Sequence, residues 1–210
     1  MHLNTYIKNH FKAYDNQTTQ QILAENFSLN NLPKGKTIFL CVGAIGAGKS
    51  TVLANMYEQN VLNFPYLSDK IVAEKLSSAV GTRPGQNQIA AATHKIAQNL
   101  VKSGHSFCWE PEDITAKYLE IVDFAKANGY AIEVFYVMTD TASINLMRKN
   151  MRAGQVASAQ DVQESFSGIS KQVIKLIEKC DNLYMFDNSW QLNQTNQRNI
   201  EKELGESFCL

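Results

Sequence analysis

The stretch Thr37-Ile38-Phe39-Leu40-Cys41-Val42-Gly43-Ala44-Ile45-Gly46-Ala47-Gly48-Lys49-Ser50 decides the fold. Its first six residues form an apolar run between the turn Leu32-Pro33-Lys34-Gly35 and the glycines, the pattern of a central strand buried on both faces of a parallel sheet. Its last eight satisfy GxxxxGK(S/T), and Thr51 to Gln59 continues as a helix, so the strand, loop and helix context of a phosphate-binding loop is met. Glycines let the backbone wrap around phosphate oxygens with successive N–H groups turned inward. The following helix aims its positive end at the anion. Lys49 places a point charge on the β- and γ-phosphates, and the Ser50 hydroxyl suits Mg²⁺. Expected cofactor contacts therefore run over Gly43, Ala44, Ile45, Gly46, Ala47, Gly48, Lys49, Ser50 and Thr51. The expected cofactors are ATP and Mg²⁺, with Ser50 on the metal.

Outward from this loop, further strands are expected at Ser106 to Trp109, Ile132 to Met138 and Leu183 to Phe186. Helical spacing lies between them: Ile89, Ala92, Ile96 and Leu100; Ile114, Tyr118, Ile121 and Ala125; Val162, Phe166, Ile169, Val173 and Ile177. Strands alternating with amphipathic helices predict a three-layer α/β P-loop fold with a central parallel sheet. Leu3, Ile7, Phe11, Tyr14, Ile22, Leu23 and Phe27 predict an N-terminal helical extension over residues 1–34, ahead of a P-loop domain over 35–210. That extension is either a packing helix pair or a partner-binding arm.

Twenty basic and twenty acidic residues cancel, which disfavours a nucleic-acid partner. Cys41, Cys108, Cys180 and Cys209 have neither zinc-site nor disulfide-framework spacing. No apolar stretch reaches membrane-spanning length, and no signal-peptide core is present, so the expected compartment is the cytoplasm. An LSGGQ-like signature and an NKxD guanine-reading motif are both absent. The remaining plan is that of a small-molecule kinase with an acidic base and an arginine-bearing lid.

Several segments in order resemble the zeta-toxin family of P-loop kinases. Tyr66-Leu67-Ser68-Asp69-Lys70-Ile71 resembles its NADxI step, and Ser103 to Glu110 (SGHSFCWE) its GxSFxxETT strand. Ala125 to Tyr130 (AKANGY), the Arg148 to Val156 segment with Phe166, and Asp187-Asn188-Ser189 resemble its AxxxGY, lid and DNS pieces. The chain departs from the family in reading Glu110-Pro111-Glu112 in place of ETT, and in placing Ser165 where the later arginine falls. The resemblance implies transfer of the ATP γ-phosphoryl group to a hydroxyl of a nucleotide-linked sugar such as UDP-N-acetylglucosamine, with an antitoxin protein as partner. The departures leave open a different metabolite acceptor, or an ATP-binding regulator without transferase activity.

On this reading the catalytic candidates are Lys49, Asp69, Arg148 and Arg152, with Asp69 and Glu110 on the acceptor. Asp69 is either the general base or a helix N-cap shared with Ser68. Glu110 holds Mg²⁺ through water, grips the acceptor, or faces solvent. Arg148 and Arg152, one helical turn apart, either reach the γ-phosphate from the lid or form a solvated face. Asp140 is read as a metal-side carboxylate or a helix cap, and Asp187 to Ser189 as the border of an adenine pocket or a turn. Trp109 is read as core, His94 and His105 as surface or helix-end residues, and Lys171, Lys175 and Lys179 as a solvated face.

Overall fold

Strand β1 (Thr37–Val42) lies at the middle of a five-stranded sheet of order β2-β3-β1-β4-β5 in a computed structural model that describes residues 16–27, 34–82, 84–112, 114–150 and 158–189. The other strands are β2 (Tyr66–Ser68), β3 (Phe107–Glu110), β4 (Ala131–Met138) and β5 (Asn182–Asp187). Every neighbouring pair is parallel, with Leu40 opposite both Trp109 and Val134. Burial on both faces explains the apolar run of β1: Ile38 and Cys41 are fully buried, and Phe39 and Leu40 nearly so. The order requires the chain to cross from β3 over β1 to β4, so helices cover both faces.

Helix α1 (Asn16–Glu25) precedes the sheet, and α2 (Lys49–Glu58) follows the glycine loop. Next come α3 (Asp69–Val80), α4 (Gln86–Lys102), α5 (Ala116–Ala127), α6 (Ala142–Asn150) and α7 (Ala159–Ile177). The described helix of the N-terminal extension packs on α2, and its Leu23 is buried in the same core as the sheet. Residues 1–15 and 28–33 of the expected extension lie outside the described residues.

Several details differ from expectation. The strand expected from Ser106 begins at Phe107 and continues to Glu110, which lengthens it at the end that carries chemistry. Strand β2 was not expected at all. It is three residues long and follows Pro65, so it is too short to show periodicity and gains its order from pairing with β3. Among the helices, α4 buries Ile89, Thr93, Ala97, Leu100 and Val101, while Ala92 and Ile96 sit at the edge. In α7, Leu176 takes the buried position expected for Ile177, which is exposed. Cys41 and Cys108 are buried free thiols, and burial pushes both thiols well above their usual range, so they act as small hydrophobes. No helix among the described residues is long and apolar enough to cross a membrane.

The carboxyl ends of the strands meet along one edge, where open α/β sheets bind ligands. Gly43, Asp69, Thr139 and Asn188 each follow a strand there, and Glu110 closes β3. The glycine loop is packed tightly against this edge. Gly46 has φ +82°, and a Cβ on it would stand 2.4 Å from the Asn145 carbonyl oxygen of α6. Gly81, with φ +75°, has nothing within 4 Å of the same position. Gly46→Ala is therefore expected to cost at least about 2 kcal/mol, or roughly 4–8 °C in Tm. Gly81→Ala is expected to cost only the left-handed strain, about 1–2 kcal/mol. Calorimetry on both variants checks the difference.

Candidate active site

Lys49 opens α2 behind Gly48, whose φ of +95° only glycine accepts readily. The Lys49 ammonium lies against the loop, donating to the carbonyls of Gly43 at 2.8 Å and Ala44 at 3.3 Å. The loop is also clasped from outside. Ile45 N–H donates to Ser165 Oγ of α7 at 3.0 Å, and the Ala47 carbonyl accepts from Asn188 Nδ2 at 2.7 Å. Ser165, standing where the family pattern has a charged residue, thus serves as an acceptor for the loop backbone.

Arg148 also belongs to this clasp. It is 7% exposed, and its Nη1 and Nη2 donate to the carbonyls of Ala47 at 3.3 Å and Asn188 at 2.5 Å. The solvated-face reading of Arg148 is thereby overturned, because α6 lies directly on the glycine loop and draws the guanidinium inward. Arg152 lies outside the described residues. Thr51 accepts Asn55 Nδ2 at its carbonyl from within α2.

A second group forms on the β2–β3 side. Ser50 Oγ donates to Glu110 Oε1 at 2.8 Å, and the buried Tyr66 phenol donates to Glu110 Oε2 at 2.8 Å. Glu110 is therefore held at both oxygens, half-buried and turned toward the loop. Burial, with the Glu110 charge adding to it, pushes the Tyr66 phenol well above its usual pKa, so it remains a neutral donor. Hard oxygen donors at Ser50 and Glu110 fit Mg²⁺, which takes few protein ligands and shares the rest with phosphates and water. No group of three or more His, Cys, Asp or Glu that could hold a metal occurs among the described residues.

Asp69 starts α3 beside Glu110, because Ser68 pairs with Glu110 across the sheet. The helix cap is Ser68, whose Oγ accepts Ile71 N–H at 3.3 Å. The carboxylate of Asp69 is thus not used as the cap. Its Oδ2 accepts from the Tyr118 hydroxyl at 2.6 Å and from Glu112 N–H at 3.3 Å. Its Oδ1 is buried without a hydrogen-bond partner. His94, expected at a surface or helix end, instead packs edge-on against Tyr118 with ring centres 4.7 Å apart. Burial lowers its pKa against the opposing pull of the Asp69 charge, so the ring is neutral near pH 7. Trp109 is fully buried, as expected of core.

On the other side of the loop, at the ends of β4 and β5, a cavity of about 210 Å³ opens between Ala44, Met138, Thr139, Asp140, Phe166 and Asp187. Asp140 N–H donates to Ser189 Oγ at 2.8 Å, closing the rim, and Asp140 itself stands two residues ahead of α6. Tyr66, Tyr118, Asn145 and Asn188 shape the two sides of the loop. Of these, Tyr66 and Asn188 fall in segments marked in the sequence, the NADxI-like and DNS pieces, and Tyr118 was placed on a helix face, but none was given this contact.

No family model matches the chain, and no curated protein matches it. Solved structures do. A chain of the AvrRxo1-ORF1:-ORF2 complex with ATP aligns with TM-score 0.54 at 12% identity, over 82% of this chain and 61% of that one. This chain therefore spans about three fifths of that protein's length. A chain of the PezAT chromosomal toxin–antitoxin system of Streptococcus pneumoniae aligns with TM-score 0.56 at 11% identity, over 84% and 80%. A chain of the Pnkp1/Rnl/Hen1 RNA repair complex aligns with TM-score 0.52 at 14% identity, over 70% and 48%. At such identities the likeness is one of fold, and the fold is the three-layer α/β P-loop architecture that the alternation of strands and helices predicted.

Proposed function

We propose that this chain is an ATP- and Mg²⁺-dependent kinase of the zeta-toxin type that phosphorylates a hydroxyl of a nucleotide-linked sugar such as UDP-N-acetylglucosamine. The observation that carries this reading is the meeting of Ser50 and Glu110 at 2.8 Å, with Asp69 on the adjoining strand end. A cradle serine, a carboxylate turned onto it, and a second carboxylate held apart on the acceptor side are the parts phosphoryl transfer needs.

In the reaction the acceptor oxygen bonds to the γ-phosphorus, the bond to the β–γ bridging oxygen breaks, and ADP leaves. Asp69 takes the hydroxyl proton at Oδ1, the buried oxygen with no hydrogen-bond partner. Lys49 exchanges its bonds to Gly43 and Ala44 for the β- and γ-phosphates, and the loop amides around Gly46 and Gly48 receive phosphate oxygens. Ser50 and Glu110 would hold Mg²⁺, which when bound would offset negative charge on the phosphates. Arg148 keeps the loop shaped through Ala47, and Arg152 supplies positive charge from the lid. The cavity beside Ala44 and Asp187 opens next to the glycine loop, on the side where the nucleoside would lie. An antitoxin protein is the partner this reading implies, by analogy with the PezAT system.

Replacement of the family's two threonines by Pro111 and Glu112 favours a second reading, a kinase for another hydroxyl acceptor, since Glu112 N–H is spent on Asp69. Titration calorimetry with ATP and Mg²⁺, followed by mass spectrometry of UDP-N-acetylglucosamine and of a metabolite extract incubated with ATP, separates the two. The expected result is ATP binding and one added phosphate on the sugar nucleotide. A phosphate appearing only on another metabolite selects the second reading, and failure to bind any nucleoside triphosphate overturns both.

A further inference from the structure

Tyr66 opens the segment that resembles the NADxI step but has no role in that pattern, yet it is held at both ends. Its backbone N–H donates to the Asn26 carbonyl, at the end of α1, at 2.9 Å. Its ring is 4% exposed and meets Tyr57 edge-on at 6.3 Å, and the Tyr57 hydroxyl is itself tied to the Phe64 carbonyl at 2.8 Å. The register explains where the phenol goes. Tyr66 pairs with Cys108 and Ser68 with Glu110, so Tyr66 and Glu110 are two steps apart on one face of adjoining parallel strands. Two residues of strand advance about 6.6 Å, close to the reach of a tyrosine side chain lying along the sheet. The phenol therefore arrives at Glu110 Oε2 while Ser50 occupies Oε1.

A glutamate at a strand end has three side-chain torsions to restrain, and one hydrogen bond leaves its carboxylate free to rotate. Two bonds, to different oxygens from opposite directions, fix the plane. We propose that Tyr66 is a positioning residue for the divalent cation: by holding Glu110 Oε2 it keeps Oε1 on the Ser50 hydroxyl, where the metal that accompanies the triphosphate is received. This rests on the reading of Ser50 and Glu110 as the Mg²⁺ side of the cradle. Packing alone does not account for the phenol, because a phenylalanine ring would fill the same space against Tyr57 and leave Glu110 with a single restraint.

The test is titration calorimetry of the 210-residue chain with ATP, once in EDTA and once in Mg²⁺, for wild type and Tyr66→Phe. The quantity read is the gain in ATP affinity that Mg²⁺ confers. Affinity in EDTA is expected to stay within about twofold, since the phenol's hydrogen bond goes to Glu110 and not to the loop, while the Mg²⁺-linked gain falls roughly tenfold with loss of a hydrogen bond to a charged group. Adding Glu110→Gln to Tyr66→Phe is expected to remove less of the gain than the two single effects combined, because one residue acts through the other. An undiminished gain in Tyr66→Phe, or full additivity in the double variant, overturns the proposal and leaves the metal assignment standing. A wild type with no Mg²⁺-linked gain overturns the metal assignment and the role of Tyr66 with it.

Discussion

Changing Lys49 to Ala is expected to lower ATP turnover by about a thousandfold or more, the scale on which single cations act in phosphoryl transfer. The ammonium already stands at the loop, 2.8 Å from the Gly43 carbonyl, so recruiting it to a phosphate requires only a local exchange of acceptors. In the substituted chain the loop amides and the positive end of α2 still attract an anion, but the concentrated charge on the β- and γ-phosphates is gone. ATP affinity should therefore weaken less than turnover. A small loss of stability is also expected, because the carbonyls of Gly43 and Ala44 lose their donor. Calorimetric ATP binding, ADP release and Tm together check this. Wild-type turnover in Lys49→Ala would take the cradle out of the mechanism altogether.

How far the sequence carried the fold depended on the range over which each signal acts. The β1 strand, the glycine loop and the start of α2 are contiguous, and their chemistry is local, so a single stretch of fourteen residues was enough to place them. Strands β3, β4 and β5 were visible as apolar runs bounded by turns. Strand β2 was not, since its three residues depend on β3, some forty positions later, for their order. The same dependence limited the reading of α7, where Leu176 and Ile177 compete for one buried place and only the packed sheet decides between them.

In the site, Lys49 and Ser50 were legible because the motif that names them is unbroken. Asp69 and Glu110 became legible through the order of the segments resembling zeta toxins. The bonds that hold the site together were not, because they join distant positions. Tyr66 reaches Glu110 across 44 residues, Tyr118 reaches Asp69 across 49, and Asn188 reaches Ala47 across 141. Nothing in a tyrosine's local neighbourhood shows that its hydroxyl will meet a carboxylate. Arg148 shows the converse limit. Its helical spacing suited an exposed basic face equally well, and only the position of α6 against the loop draws the guanidinium onto two backbone carbonyls.

Asp69→Asn is the second large effect expected, a loss of transfer by about a hundredfold to ten-thousandfold with ATP affinity kept within a few-fold. The two parts follow from different atoms. Oδ2 accepts from Tyr118 and from Glu112 N–H, and an asparagine carbonyl oxygen can accept the same two bonds, so the side chain keeps its place. The amide nitrogen then occupies the position of Oδ1, which is buried and has no partner. An amide there cannot take a proton from an incoming hydroxyl, and its own N–H groups go unmet, at a cost of about 1–3 kcal/mol in stability. The start of α3 should be unaffected, because Ser68 supplies the cap from its own hydroxyl. Single-turnover phosphorylation of the acceptor that mass spectrometry identifies, read beside Tm and ATP affinity, checks all three. A variant that loses stability while transferring phosphate at the wild-type rate would show that the Asp69 carboxylate serves only to join α3 to Tyr118, and the base would have to be sought elsewhere along the sheet edge.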